Sequence, residues 1–171
     1  DYAALRERLL ADGQVLEWAG GGGGGRGVAV ATLAGVVVDN AAARVVGEWT
    51  ASSATAGHVG DDYLHDGDAG KGAKSVTFTP RLPRAATYEI RLWATPLANR
   101  ATNVPVTVRL PDGERRFTAD QRHGPGKDGY VVLGAFPCPA GEAVSVTVGT
   151  VGTDGHVIAD AVQFVDVADR P

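Results

Sequence analysis

Methionine is absent from this 171-residue sequence. Asp1 is therefore not expected to be a translated start, which leaves a removed leader or a segment of a longer chain. Cysteine occurs once, at Cys138, so no disulfide can form within the chain. Flanked by Pro137 and Pro139, Cys138 reads as a small half-buried residue in a turn. No apolar run reaches the roughly 20 residues that cross a bilayer as a helix, so membrane insertion is not expected. Positive charge is in deficit: 16 Lys and Arg face 20 Asp and Glu, a formal net charge of -4. That argues against nucleic acid and against adsorption to anionic membranes, since both call for a basic surface. Histidine is scarce, at positions 58, 65, 123 and 156, with no His-Glu-x-x-His among them. There is also no Gly-x-Ser-x-Gly elbow. The expectation is a chain that is not an enzyme, although a triad assembled in space leaves no motif.

What is present is ordinary globular material with unusual punctuation. Hydrophobic residues make up 44% and charged residues 21%, which fits one folded domain. Leu5, Leu9 and Leu10 fall at helical spacing, so Asp1–Trp18 reads as a short N-terminal helix. Six glycines, Gly20 to Gly25, follow and read as a linker, because they offer no side chains to pack. The run satisfies G-x-G-x-x-G but follows a helix rather than a strand, which excludes a dinucleotide site. The loop Gly67-Asp68-Ala69-Gly70-Lys71-Gly72 fails the phosphate-loop spacing at Ala73. The division is thus a helix and linker over residues 1–27 and a second unit over 28–171.

From Val28 onward the hydrophobic period is two. Tyr88, Ile90 and Leu92 alternate with Glu89, Arg91 and Trp93. Val104, Val106 and Val108 alternate with Pro105, Thr107 and Arg109. Val76 and Phe78, and Val144, Val146 and Val148, repeat the pattern. Such alternation marks strands with one buried and one wet face. Pro111-Asp112-Gly113 between two runs predicts a hairpin. Many short strands with Gly, Pro and Asp between them predict an all-β jelly-roll sandwich.

Particular strings then narrow the class. They are Val37-Val38-Asp39-Asn40, Gly47-Glu48-Trp49, Gly60-Asp61-Asp62-Tyr63-Leu64-His65-Asp66 and Leu82-Pro83-Arg84-Ala85. Tyr88-Glu89-Ile90, Asn99-Arg100-Ala101-Thr102-Asn103-Val104-Pro105-Val106, Gln121, Leu133-Gly134 with Phe136, and Ala159-Asp160-Ala161-Val162-Gln163-Phe164 complete the set. In this order, over roughly 36–165, the chain resembles the golvesin and xanthan-lyase carbohydrate-binding-like domain. The resemblance implies a galactose-binding-like, jelly-roll β-sandwich attached to exported or surface proteins. Such domains also close bacterial proteins called FAD-dependent oxidoreductases. The helix and glycine run would then be the junction with an upstream domain, and any flavin chemistry would lie outside this chain.

A sugar site needs an aromatic platform and planar hydrogen-bonding groups. Trp93 shares a strand face with Arg91, and Tyr63, His65, Asn99, Arg100, Gln121 and Tyr130 fall in or beside loops. These eight are the carbohydrate-binding candidates. The competing reading places Trp93 and Trp49 in the core and makes Asn99–Asn103 a structural turn. No cofactor is expected beyond a structural calcium. By likeness to related jelly rolls it would sit between the first and last strands at Asp39 and Asp160, whose hard oxygens suit it. Asp62, Asp66 and Asp68 read as a solvated acidic loop. The function expected is a non-catalytic accessory module, secreted or at the cell surface, that binds or anchors to polysaccharide. The alternative is a self-assembling subunit in which the apolar Ala29–Val38 segment pairs with an identical copy.

Overall fold

The computed structural model describes residues 25–124 and 129–170. The expected helix over Asp1–Trp18 and glycines 20–24 lie outside the described residues. The strands, in chain order, are β1 (Val36–Asp39), β2 (Arg44–Val46), β3 (Thr50–Ser52), β4 (Tyr63–His65), β5 (Ser75–Phe78) and β6 (Ala86–Trp93). They continue with β7 (Val104–Leu110), β8 (Gly113–Ala119), β9 (Tyr130–Cys138), β10 (Ser145–Gly149), β11 (Ile158–Ala159) and β12 (Ala161–Asp166). One sheet has the order β1-β12-β6-β9, the second β2-β5-β10-β7-β8, and a small third β11-β4-β3. All the pairings are antiparallel. Non-sequential neighbours show the chain crossing repeatedly between sheets, as in a jelly-roll sandwich.

The core is built by the alternation itself. Tyr88, Ile90 and Leu92 of β6 and Val162 and Phe164 of β12 face Val76 and Phe78 of β5, Val104, Val106 and Val108 of β7, and Val146 and Val148 of β10. Ile90, Phe78 and Phe164 are fully buried, each contributing about 1.5–3 kcal/mol relative to exposure. The β7–β8 hairpin turns at Pro111-Asp112, with Leu110 paired to Gly113.

Two local expectations change. Val28 and Val30 start no strand: Val28 makes a single parallel bridge to Val59, and Val30–Thr32 is a 3-10 turn. Cys138 is not in a turn but ends β9, buried, beside Pro137. A proline is tolerated there because, among the described residues, β9 is a sheet edge with no strand on its other side. The apolar β1 pairs with β12 of its own chain, Val36 opposite Phe164 through Asp39 opposite Ala161.

Candidate functional site

The outer face of the β1-β12-β6-β9 sheet is covered around Trp93 and Ala161, whereas Val132 on β9 stays 54% exposed. Residues 25–28 run beside the 53–60 loop, with Val28 N donating to His58 O at 2.6 Å and Gly60 N to Val28 O at 2.8 Å. Beneath this cover Trp93 packs with Val59, Ala161, Val28, Leu33 and Val37. Trp93 is only 6% exposed, so it forms no open platform. Its Nε1 donates to Gln163 Oε1 at 3.0 Å, and Gln163 Nε2 donates to Ala34 O at 2.8 Å. Tyr130 tilts against Trp93 with ring centres 5.3 Å apart, and the Arg91 guanidinium lies 4.5 Å over Tyr130. Arg91 is also held by Glu89, Nε to Oε1 at 2.7 Å. The structure thus brings Trp93, Arg91 and Tyr130 together, as internal packing. Alternation correctly put Trp93 opposite the core, but could not show that a cover segment buries that face too.

The other sugar candidates form a second group. Arg100 is buried, and its guanidinium donates to Thr95 O, Asn99 Oδ1 and Thr55 Oγ1 at 3.1, 2.8 and 3.1 Å. Tyr63, also buried, lies under it with ring centre 5.6 Å from Arg100 Cζ. His65 meets His156 edge-on at 5.8 Å. Burial, then the nearby His156 and Arg100 charges, holds the His65 imidazole below its ordinary value. Gln121 clamps Ile158, accepting from its N–H at 2.8 Å and donating to its carbonyl at 2.9 Å. In this arrangement Tyr63, Arg100 and Gln121 spend their polar atoms on the fold itself. Asn99 is exposed, but its Oδ1 is taken by Arg100.

Two buried carboxylates contrast sharply. Asp66 is 1% exposed, so it is not part of a solvated acidic loop. It accepts from Lys71 Nζ at 2.7 Å, Val157 N at 2.9 Å and Asp68 N at 3.0 Å. Burial would raise its pKa, but these donors outweigh it and hold the carboxyl below its ordinary value. Among the described residues the fully buried Asp160 side chain accepts only from Val59 N, at 3.1 Å to each oxygen. Burial, with the negative charges of Asp39 and Asp62 adding to it, pushes Asp160 up to about 8. Asp39 is likewise raised by burial, then by Asp62 and Asp61, to about 6.

Asp39 Oδ1 and the neighbouring Asn40 Oδ1 are buried and find no hydrogen-bond donor. Asn40 is 6% exposed, and its amide nitrogen donates to Asp62 Oδ1 at 2.7 Å. Burial of unsatisfied oxygens beside mutually repelling carboxylates is costly unless a cation completes the set. Among the described residues no three His, Cys, Asp or Glu side chains form a ready metal cage, so the Asn40 amide would belong to the set. The oxygen-only chemistry fits a hard cation such as calcium.

The outer face of the five-stranded sheet is open. Its pairing register lines up Arg44, Thr77, Thr147, Thr107 and Arg116 in one row across β2, β5, β10, β7 and β8. The next row holds Ser145, Arg109 and Glu114. All of these but Arg116 line, together with Thr79, a groove of about 370 Å³, and Arg116 follows in the row beside Thr107. Thr77 and Thr147 hydroxyls are 2.9 Å apart, and Arg109 donates to Glu114 Oε1 at 3.0 Å. These residues are legible in sequence as the polar half of each alternating strand. Strand order, which alone puts them side by side, is not.

Residues 36–166 match the golvesin C-terminal domain. The chain belongs to this family. It is 43% identical over 141 residues to a xanthan lyase of Bacillus sp. strain GL1, covering 79% of this chain and 15% of that protein. The Paenibacillus xanthan lyase structure matches 77% of the chain at 40% identity and a TM-score of 0.72, over 13% of its own length. A GH26-CBM35 β-(1,4)-mannanase of Podospora anserina shares the fold at 18% identity and a TM-score of 0.55, over 80% of this chain and 28% of that one. The chain thus spans a small part of its relatives, and the golvesin-family unit is a domain of longer proteins there. Among the described residues no helix is long and apolar enough to cross a membrane.

Proposed function

We propose that this domain is a non-catalytic accessory module of an exported or surface protein, and that it holds polysaccharide on the outer face of its five-stranded sheet. The observation that carries this reading is the groove: an open row of hydroxyls and guanidinium groups across five strands. Such groups match the donor and acceptor pattern of sugar hydroxyls. Glu114 is the one carboxylate in the groove lining, so paired-acid glycoside cleavage has no second partner there. Relatives named xanthan lyase, of which this chain matches a minor part, support an accessory role beside a separate catalytic region. Affinity electrophoresis against a polysaccharide panel tests the reading. Retardation by at least one polymer is expected, and it should weaken in a Thr77→Val/Thr147→Val double variant. Migration unaffected by every polymer, or retardation indifferent to the groove, would refute it.

A structural calcium ion at Asp39 and Asp160, with the Asn40 amide oxygen contributing, belongs to the same proposal. The two donor-less buried oxygens are its support. Bound, the ion would supply positive charge that keeps these carboxylates ionised and ties β1 to the β11–β12 junction. Calcium should raise the melting temperature of chelator-treated protein and leave Asp160→Asn unchanged. Equal responses of both proteins would remove the site.

A further inference from the structure

The floor of the groove is electrically unlike the rest of the molecule. The chain as a whole is acidic, at -4. On this face, however, Arg44, Arg109 and Arg116 meet a single carboxylate, Glu114. Glu114 is shared, 3.0 Å from Arg109 and 3.6 Å from Arg116. Arg44 has no carboxylate within salt-bridge distance among the described residues. Arg109 and Arg116 side chains are 70% and 82% exposed, so their forks point to solvent rather than into the fold.

Placement matters as much as number. Arg44 and Arg116 close the two ends of the threonine row, on the two edge strands of the sheet. With strands about 4.8 Å apart, four steps separate them by roughly 19 Å. Arg109 stands one row away on β7, between the middle and one end. A single sugar ring cannot touch both ends. A chain lying across the strands can, with its hydroxyls over Thr77, Thr147 and Thr107 and its anionic groups at the guanidiniums. Arg forms bidentate, charge-assisted bonds with carboxylates and with sulfates alike. The groove lining includes no aromatic side chain, which removes the stacking platform that single-stranded nucleic acid uses.

We infer that the golvesin-family groove takes an anionic polysaccharide, laid across the strands and gripped at Arg44 and at Arg109 with Arg116. This rests on the polysaccharide reading above and adds the charge class and direction of the ligand.

The test uses the whole chain in affinity gels and calorimetry. The probes are polygalacturonate, its carboxyl-reduced form, dextran sulfate, dextran and a single-stranded oligonucleotide. Polygalacturonate or dextran sulfate should retard the protein, and whichever binds more tightly identifies carboxylate or sulfate as the partner. Carboxyl reduction, or raising the salt to several hundred millimolar, should weaken binding at least tenfold, because exposed charges are screened over about 8–10 Å. Arg44→Gln and Arg109→Gln should each weaken binding about tenfold, the scale of one charge-assisted bond. Glu114→Gln should tighten it, and all three variants should melt like the parent. A monomeric uronate should bind far more weakly than the polymer. Neutral and carboxyl-reduced polymers binding as well as anionic ones would overturn the charge class and leave the polysaccharide reading intact. No binding to any polymer would overturn both, and equal binding of the oligonucleotide would overturn the glycan assignment.

Discussion

The two outer faces of this sandwich have opposite fates. On the β1-β12-β6-β9 sheet the outward residues include Trp93 and Gln163, and residues 28–37 with the Val59 loop bury them. On the five-stranded sheet the groove residues are Thr, Ser and Arg with the single carboxylate Glu114, and nothing among the described residues covers them. Both sheets alternate in the same way along their strands. What differs is the chemistry of the outward half: an indole and a tyrosine reward a cover, whereas hydroxyls and guanidiniums are already satisfied by water. The aromatic side chains that look most like a sugar platform are therefore committed to stability. The plain threonine row is left free for a ligand.

Substitutions can break this contrast. Trp93→Ala should cost about 3–5 kcal/mol in denaturant unfolding, the usual price of emptying a buried aromatic site, while leaving the polysaccharide affinity of the folded fraction unchanged. Loss of affinity with intact stability would mean that the face opens in use. Gln163→Leu should cost about 2 kcal/mol, since Trp93 Nε1 and Ala34 O both lose their partner inside the cover.

The covered side also carries the two buried carboxylates of the proposed calcium site, and Asp160 holds the Val59 loop. In chelator-treated protein, folding favours neutral Asp39 and Asp160. Their stabilising effect is complete below the unfolded value of 3.8 and is lost as pH rises through about 6 and about 8. Melting temperature should fall across that window. Calcium should reverse the fall, by up to about 2.7 kcal/mol at a hundredfold excess over Kd. A flat profile, or one that rises without calcium, would contradict the raised carboxyls. Asp66 runs the other way: its ionised form is favoured, so its contribution is lost as pH drops through a folded value below 3.8. On the bare face, Thr147→Val should shift stability by no more than about 0.5 kcal/mol, and only binding should change.

Much of the architecture was legible along the chain. Period-two runs marked β6, β7 and β10, Pro111-Asp112-Gly113 marked the hairpin, and the strings from Val37 to Phe164 pointed to the family. Asp39 and Asp160 were expected as calcium ligands by likeness to related jelly rolls. Asn40, whose orphaned oxygen makes the pair informative, was not singled out, because an asparagine after a strand also reads as a turn residue. Asp66 looked solvated because the backbone donor that buries it, Val157, comes from 91 residues away, and Lys71 five residues on reads as part of the same loop.

By itself, then, the sequence determined which residues alternate, and hence the strands, the core valines and the two sets of outward side chains. Alternation is a local property of the pleat, carried by neighbours two residues apart. Only the tertiary structure decided which outward set is covered, which carboxylates share a site, and that Arg44 and Arg116 flank three threonines in one row. Those facts depend on strand order and register between segments far apart in the chain, and no local pattern encodes them.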